Sequence, residues 1–123
     1  MIGYVTIGTN DLDAATTFYD ALFATLGGKR TFASGGRMQF NGSDSNPGIV
    51  AINKPLDGQP ANVGNGCMFG FPAISKAQVD AAYTAALAAG GTDEGVPSQH
   101  QPTFYAGYFR DLDGHKICVF KMG

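Results

Sequence analysis

The sequence of 123 residues has few charges, few cysteines and no long apolar segment, and each shortage excludes a class of protein. Ten acidic residues against eight basic ones give a formal net charge of −2, and Lys29-Arg30 is the only adjacent basic pair. A surface for nucleic acid or an anionic membrane is therefore not predicted. No apolar stretch approaches the roughly 18 residues that a membrane span needs, and no basic segment followed by an apolar run opens the sequence.

The two cysteines, Cys67 and Cys118, are too few for a disulfide framework and lack the spacing of metal ligands. We therefore expect a cytoplasmic protein in a reducing compartment. Glycine is abundant instead, since the 18 glycines are about twice the usual share and predict many tight turns. The length and the apolar fraction of 44 % suit one globular domain, 1–123.

One strand–helix pattern occurs twice. Gly3 to Gly8 alternate like a half-buried strand, and apolar residues then recur at helical spacing from Asp11 to Leu26, where Gly27-Gly28 follows. A strand at 67–71 and a helix at 76–89, ended by Gly90-Gly91, repeat this order. Tyr19 corresponds to Tyr83 at an offset of 64 residues. Such a repeat indicates two copies of one supersecondary unit.

Three short extended segments are predicted after each helix. They are Lys29–Ala33, Arg37–Phe40 and Ile49–Asn53 in the first half, and Thr92–Glu94, Phe104–Arg110 and Lys116–Met122 in the second. The predicted fold is α+β, with two tandem β-α-β-β-β modules at about 1–54 and 67–123. A connector rich in Pro, Gly and Asn, 55–66, joins them.

Several short motifs accompany the repeat. They are Asn10-Asp11-Leu12 followed by Phe18-Tyr19, the connector Pro55-Leu56-Asp57-Gly58-Gln59-Pro60, and an ending from Tyr105 to Ile117 that contains the turn Asp111-Leu112-Asp113-Gly114. In this order they resemble the vicinal oxygen chelate superfamily, which includes glyoxalase I, bleomycin-resistance proteins and extradiol dioxygenases. The resemblance covers essentially the whole chain. It implies a curved mixed sheet around a cleft, helices packed outside, and a homodimer.

Strand alternation then assigns side chains to two faces of that sheet. Those predicted to face the helices are Val5, Ile7, Phe69, Phe71, Ile117 and Val119. The candidate ligand-binding residues of the cleft are Tyr4, Thr6, Arg37, Met68, Gly70, His100, Tyr105, Cys118 and Phe120. Tyr105 and Tyr108 lie on one strand but face opposite ways, so at most one of them enters the cleft.

Metal-dependent members of the superfamily place His, Gln or Glu in the cleft, on the first and last strands of each module. The corresponding positions here hold Tyr4, Met68, Cys118 and a residue within Ile49–Asn53, which has neither carboxylate nor histidine. A phenol stays protonated at neutral pH, a thioether is too soft for Zn²⁺, Mn²⁺ or Fe²⁺, and a lone thiolate lacks partners. We therefore predict no metal and no cofactor, with Zn, Ni, Mn or Fe at a displaced site as the alternative.

The histidines, the aspartates of the last turn and Cys118 are predicted to have structural rather than catalytic roles. His100 and His115 are predicted in surface loops, with His100 over the cleft as the alternative. Asp111 and Asp113 are expected to bond the backbone of their own turn rather than to act as catalytic carboxylates. Cys118 is predicted to be a buried, inert thiol because no neighbouring basic residue is predicted to lower its pKa.

Three functions follow from this interpretation. The first is a metal-independent protein that binds a hydrophobic or aromatic small molecule, similar to the bleomycin-resistance proteins. The second is a glyoxalase-like lyase or isomerase, or a dioxygenase, with a divalent metal at a displaced site. The third is a scaffold retained for association with another protein. No residue is assigned a catalytic role.

Overall fold

In the computed structural model, which describes residues 1–123, each half of the chain folds as a strand, a helix and three further strands. The elements are β1 (Tyr4–Gly8), α1 (Leu12–Thr25), β2 (Lys29–Ser34), β3 (Arg37–Asn41), β4 (Ile49–Asn53), β5 (Met68–Pro72), α2 (Lys76–Ala88), β6 (Thr92–Gln101), β7 (Phe104–Arg110) and β8 (Lys116–Met122). The predicted order of two β-α-β-β-β modules is confirmed. Neither helix is long and apolar enough to cross a membrane.

Each module forms its own four-stranded mixed sheet. The strand order is β1-β4-β3-β2 in the N-terminal sheet and β5-β8-β7-β6 in the C-terminal sheet. In both sheets the first strand pairs in parallel with the last, and the remaining pairs are antiparallel. The predicted mixed sheet is thus divided into two sheets, with β1 and β5 as outer strands.

Both helices begin at a side-chain cap and end at a glycine. The carboxylate of Asp11 accepts a hydrogen bond from the backbone N–H of Ala14, and the hydroxyl of Ser75 accepts one from Gln78. Gly27 and Gly90 then adopt φ angles of +79° and +105°, which other residues rarely adopt. Local sequence therefore determines both helices.

The helices pack against each other and against both sheets, which gives the two modules one shared core. Two edge-on aromatic pairs join α1 to the C-terminal sheet: Phe18 with Phe109, ring centres 6.4 Å apart, and Phe23 with Phe71, 5.1 Å apart. Five of the six predicted helix-facing residues belong to this core: Ile7, Ile117 and Val119 are buried, and Phe69 and Phe71 pack against it.

The turn between β7 and β8 is held by one buried carboxylate. One oxygen of Asp111 accepts hydrogen bonds from the backbone N–H groups of Asp113, at 3.0 Å, and His115, at 2.9 Å. Its other oxygen accepts a 2.5 Å bond from the hydroxyl of Tyr19 on α1. Asp111 thus stabilises its own turn, as predicted, and also joins the second module to the first helix.

Two further hydrogen bonds attach this turn to the start of the chain. The side chain of Asp113 accepts a bond from the backbone N–H of Asn10 at 2.9 Å, and Nε2 of His115 lies 2.8 Å from the carbonyl oxygen of Gly8. Nε2 of His115 is therefore the donor. The prediction of a surface loop for His115 is wrong, because this contact and the adjacent Phe69 ring leave the side chain buried.

Strand β6 is longer than the predicted segment Thr92–Glu94. It continues to Gln101 with three register shifts against β7, and the first two involve the segment that contains Gly95 and Pro97. These residues disfavour a regular strand but are tolerated at a bulged outer edge. The extension places His100 in a strand, so the predicted loop position is wrong.

We predict that Tyr19→Phe lowers the free energy of unfolding by about 1–3 kcal/mol at neutral pH, because one buried oxygen of Asp111 loses its donor. Burial, and then Asp111, raise the pKa of the Tyr19 hydroxyl well above its usual value. The neutral phenol therefore stabilises the native state fully below about pH 10, and this contribution disappears as the pH rises towards the native pKa. Urea unfolding at several pH values measures both effects.

Tyr105→Phe is the matched control, because the bond from its hydroxyl to Asp80 is exposed. This variant should lose less stability than Tyr19→Phe at neutral pH. Equal stability of native protein and Tyr19→Phe would contradict the role assigned to Asp111.

Candidate ligand-binding site

Each sheet packs one face against the helices and leaves the other open. On the open face of the C-terminal sheet, the parallel register places Met68 beside Lys116 and Gly70 beside Cys118. The antiparallel register adds Tyr108 opposite Cys118. Tyr108 on this face is only half-buried, whereas Ile117 on the opposite face is fully buried. The open face is therefore accessible to a ligand.

Four rings form a continuous surface on this face, which we call the aromatic patch: His100, Phe104, Tyr108 and Phe120. Phe104 and Phe120 are stacked, with ring centres 5.7 Å apart and planes inclined by 26°. The His100 ring lies 5.4 Å from Tyr108 and 6.3 Å from Phe104. His100 is exposed and the other three are half-buried, so the patch is only partly covered by the protein itself.

Glycines in the outer strands make room for two of these rings. A Cβ atom on Gly70 would lie 3.3 Å from the Phe120 ring, and one on Gly95 would lie 3.3 Å from the Tyr108 ring. Both distances are shorter than normal van der Waals contacts. The rings therefore lie over bare backbone, which keeps the patch close to the sheet and leaves space above it.

Two cations border the patch, and only one of them has a carboxylate partner. Arg110 forms an ion pair with Glu94 and donates a further hydrogen bond to the carbonyl of Gly114. The ammonium of Lys116 lies 5.5 Å from the centre of the Tyr108 ring, a cation–π distance, and is within salt-bridge distance of no carboxylate. Lys116 is thus an unpaired positive charge beside an apolar surface.

Cys118 lies beneath the patch and is chemically protected. Burial raises the pKa of its thiol, and the opposing effects of Tyr108 and Lys116 do not reverse that shift. Burial, followed by the neighbouring thiol, raises the pKa of Tyr108 as well. Both groups therefore stay protonated at neutral pH, and neither is a ready nucleophile or base.

The open face of the N-terminal sheet is polar rather than aromatic. Arg37 donates a 2.9 Å hydrogen bond to the side chain of Asn53. The hydroxyl of Thr31 donates a 2.6 Å bond to Asn41, and the amide of Gln39 contacts both. A cavity of about 330 Å³ lies between the outer strands of the two sheets, and its lining includes Tyr4, Val5, Met68 and Phe69.

The sequence also matches a known protein family. The model of the Glyoxalase/Bleomycin resistance protein/Dioxygenase superfamily matches residues 1–119. The chain belongs to this superfamily. The resemblance inferred from the sequence is thereby confirmed. No curated protein matches the sequence.

Solved structures show the same fold. A glyoxalase/bleomycin resistance protein from Albidiferax ferrireducens T118 is 40 % identical, with a TM-score of 0.91 over 100 % of this chain and 99 % of the other. A lactoylglutathione lyase from Agrobacterium tumefaciens is 23 % identical, with a TM-score of 0.71 over 98 % and 92 %. An enzyme of the superfamily from Burkholderia phytofirmans PsJN is 18 % identical, with a TM-score of 0.76 over 98 % of each chain. The last two likenesses concern the fold alone.

The strand register identifies all four positions that bind metal in the superfamily's metal-dependent members. Met68 pairs with Lys116, and Cys118 lies two residues after Lys116. In the same way Tyr4 pairs with Ile49, and Ala51 lies two residues after Ile49. Ala51 is thus the fourth position. A phenol, a methyl group, a thioether and a single thiol do not provide the imidazole and carboxylate donors that such a divalent cation prefers. No three His, Cys, Asp or Glu side chains elsewhere are grouped to hold one.

The structure brings together some of the predicted cleft residues and separates others. Met68, Gly70, His100, Cys118 and Phe120 share the open face of the C-terminal sheet, whereas Tyr4, Thr6 and Arg37 belong to the N-terminal sheet. The prediction of Tyr105 in the cleft is wrong. Its hydroxyl donates a 2.6 Å bond to Asp80 on α2, and Lys76 of the same helix lies over its ring.

Sequence reasoning missed Phe104 and Lys116, and it named Tyr105 rather than Tyr108 as a cleft residue. The signal was available in the short turn at 111–114, which sets the antiparallel register of β7 against β8. This register places Tyr108 opposite Cys118 and Lys116 opposite Arg110. Once Cys118 is assigned to the open face, Tyr108 must share that face.

We predict one fast-reacting and one protected thiol in the native protein. Cys67 is exposed, while Cys118 is buried and has a raised pKa, so a thiol reagent such as Ellman's reagent should modify Cys67 rapidly and Cys118 only after unfolding. Cys67→Ser should abolish the fast phase, and Cys118→Ser should preserve it. Two fast phases in native protein would show that Cys118 is accessible.

Proposed function

We propose that the protein binds a planar apolar or aromatic small molecule on the open face of the C-terminal sheet, without a divalent metal. The observation that carries this proposal is the aromatic patch. Its rings are ordered by stacking and by the two glycines, yet remain half-exposed over a continuous surface. A ligand that stacks there removes apolar area from water and adds ring–ring contacts.

Binding rather than conversion is favoured by the chemistry of the same face. The thiol of Cys118 and the phenol of Tyr108 have raised pKa values and keep their protons. Exposed His100 contacts the hydroxyl of Ser98 at 3.4 Å, but no carboxylate orients its ring. The arrangement lacks the activated nucleophile with an oriented base that covalent catalysis requires.

We also propose that the protein is a homodimer in which a second copy covers the outer strands β1 and β5. Both strands have an edge without a partner, and the apolar cavity lies between them. Ile2, Tyr4 and Met68 at this position are 75 %, 63 % and 48 % exposed. Unpaired strand edges flanked by apolar side chains favour association. Both cysteines are free, which supports a cytoplasmic location.

The first test of this proposal uses naphthamide, a neutral aromatic probe. Phe120→Ala should weaken its binding about tenfold, because the probe loses a stacking surface. Phe32→Ala is the matched control, since Phe32 is 54 % exposed on the N-terminal sheet. Isothermal titration calorimetry with EDTA and with added Zn²⁺ should give the same affinity. An affinity that requires metal, or that ignores Phe120→Ala, would contradict the proposal.

The second test concerns the dimer. Met68→Asp should shift the native dimer to monomer, because it places a charge at the proposed contact. Ile74→Asp is the matched control, because Ile74 is 61 % exposed outside the cavity lining. Sedimentation velocity over a range of concentrations measures the association state. A native protein that remains monomeric at every concentration would rule out the dimer.

A further inference from the structure

We infer that the ligand is a planar aromatic anion whose ring lies on the aromatic patch and whose negative charge lies at Lys116. This inference rests on the proposed binding function and adds the charge of the ligand. It follows from the position of Lys116, from the distribution of the protein's carboxylates, and from the electrostatics of a half-covered apolar surface.

Lys116 places a positive charge directly beside a ring of the aromatic patch. It pairs with Met68 on one side and with Arg110 on the other, at one end of the open face. Its ammonium lies over Tyr108, a member of the patch, and forms neither a hydrogen bond nor an ion pair with another protein group. Its aliphatic stem therefore borders the rings while its three donors remain available.

None of the carboxylates near the C-terminal sheet forms an ion pair with Lys116. Glu94 neutralises Arg110, so Lys116 is the uncompensated charge beside the patch. Asp80 and Asp93 accept hydrogen bonds from tyrosine hydroxyls, and Asp111 is buried in its turn. Although the formal net charge of the chain is −2, the one unpaired ionic group beside the patch is a cation, Lys116. A local field of this sign attracts anions and repels cations.

A half-covered apolar surface strengthens such a charge pair. The effective dielectric constant beside stacked rings is lower than that of water, so an anion at Lys116 gains more than it would on an open surface. An aromatic carboxylate offers both a ring for the patch and a negative charge for Lys116, and the two are a short distance apart. A neutral ring uses only the patch, and an aromatic cation is repelled by Lys116.

The test compares three probes with the same ring: naphthoate, naphthamide and naphthylmethylammonium. Binding is measured on the full chain by calorimetry at low ionic strength, with NMR shifts of the Phe104 and Phe120 ring protons to locate it. Naphthoate should bind about fivefold more tightly than naphthamide, as a partly covered ion pair provides. The cation should bind most weakly. The preference for naphthoate should shrink as salt is added.

Lys116→Met should abolish the preference for naphthoate over naphthamide, because it removes the charge that distinguishes the two probes. Lys121→Met is the matched control: it removes the same charge from the same strand, but Lys121 pairs with Tyr105 and lies on the helix side. This variant should retain the preference.

Three results would overturn the inference, and they separate it from the proposed function. If naphthamide and naphthoate shift the patch resonances with equal affinity, aromatic binding stands and the anion assignment is wrong. If Lys121→Met and Lys116→Met lower naphthoate affinity equally, net charge rather than position is responsible and the assignment is again wrong. If none of the three probes shifts the Phe104 and Phe120 resonances, the proposed function fails together with the inference.

Discussion

The buried carboxylate of Asp111 determines how the two halves of the molecule meet. It accepts backbone hydrogen bonds within its own turn and the hydroxyl of Tyr19 from the first helix. Asp113 and His115 extend this connection to Asn10 and to the carbonyl of Gly8. A carboxylate removed from water must be fully hydrogen-bonded to be tolerated, so the turn and α1 fix each other's position. The turn at 111–114 therefore connects the second module to the first helix.

The aromatic patch follows from the core on the other side of the same strands. Phe109, Ile117 and Val119 are fully buried beneath the helices. Because alternate residues of a strand point to opposite faces, the residues between these buried positions project from the open side. A surface carried by well-packed strands is rigid, which suits stacking of a planar ligand. The positions that bind metal in metal-dependent members hold side chains here that are poor donors for such an ion, and the same scaffold can carry different chemistry.

Much of the fold could be predicted from the sequence, because its signals are local. Helical spacing with glycine stops located both helices, and the internal repeat predicted two equivalent modules. The Asp-Leu-Asp-Gly turn fixed the hairpin that carries the last two strands. Alternation then assigned Met68, Gly70, Cys118 and Phe120 to one face correctly.

The remaining features depend on contacts that no local pattern encodes. His115 is buried only because it reaches Gly8, more than one hundred residues earlier in the chain. Strand β6 continues through Gly95 and Pro97 because an outer edge tolerates bulges. Tyr105 and Tyr108 are equivalent by composition, and only the Asp80 contact and the pairing with Cys118 distinguish them.

The most direct test of this account is a crystal structure of the protein purified without chelators, supplied with Zn²⁺ and soaked with naphthoate. The account predicts a ring stacked on Phe120 and Tyr108, a carboxylate beside Lys116, and no zinc ion at Tyr4, Met68 or Cys118. A zinc ion coordinated at those positions, or naphthoate bound away from the C-terminal sheet, would contradict it.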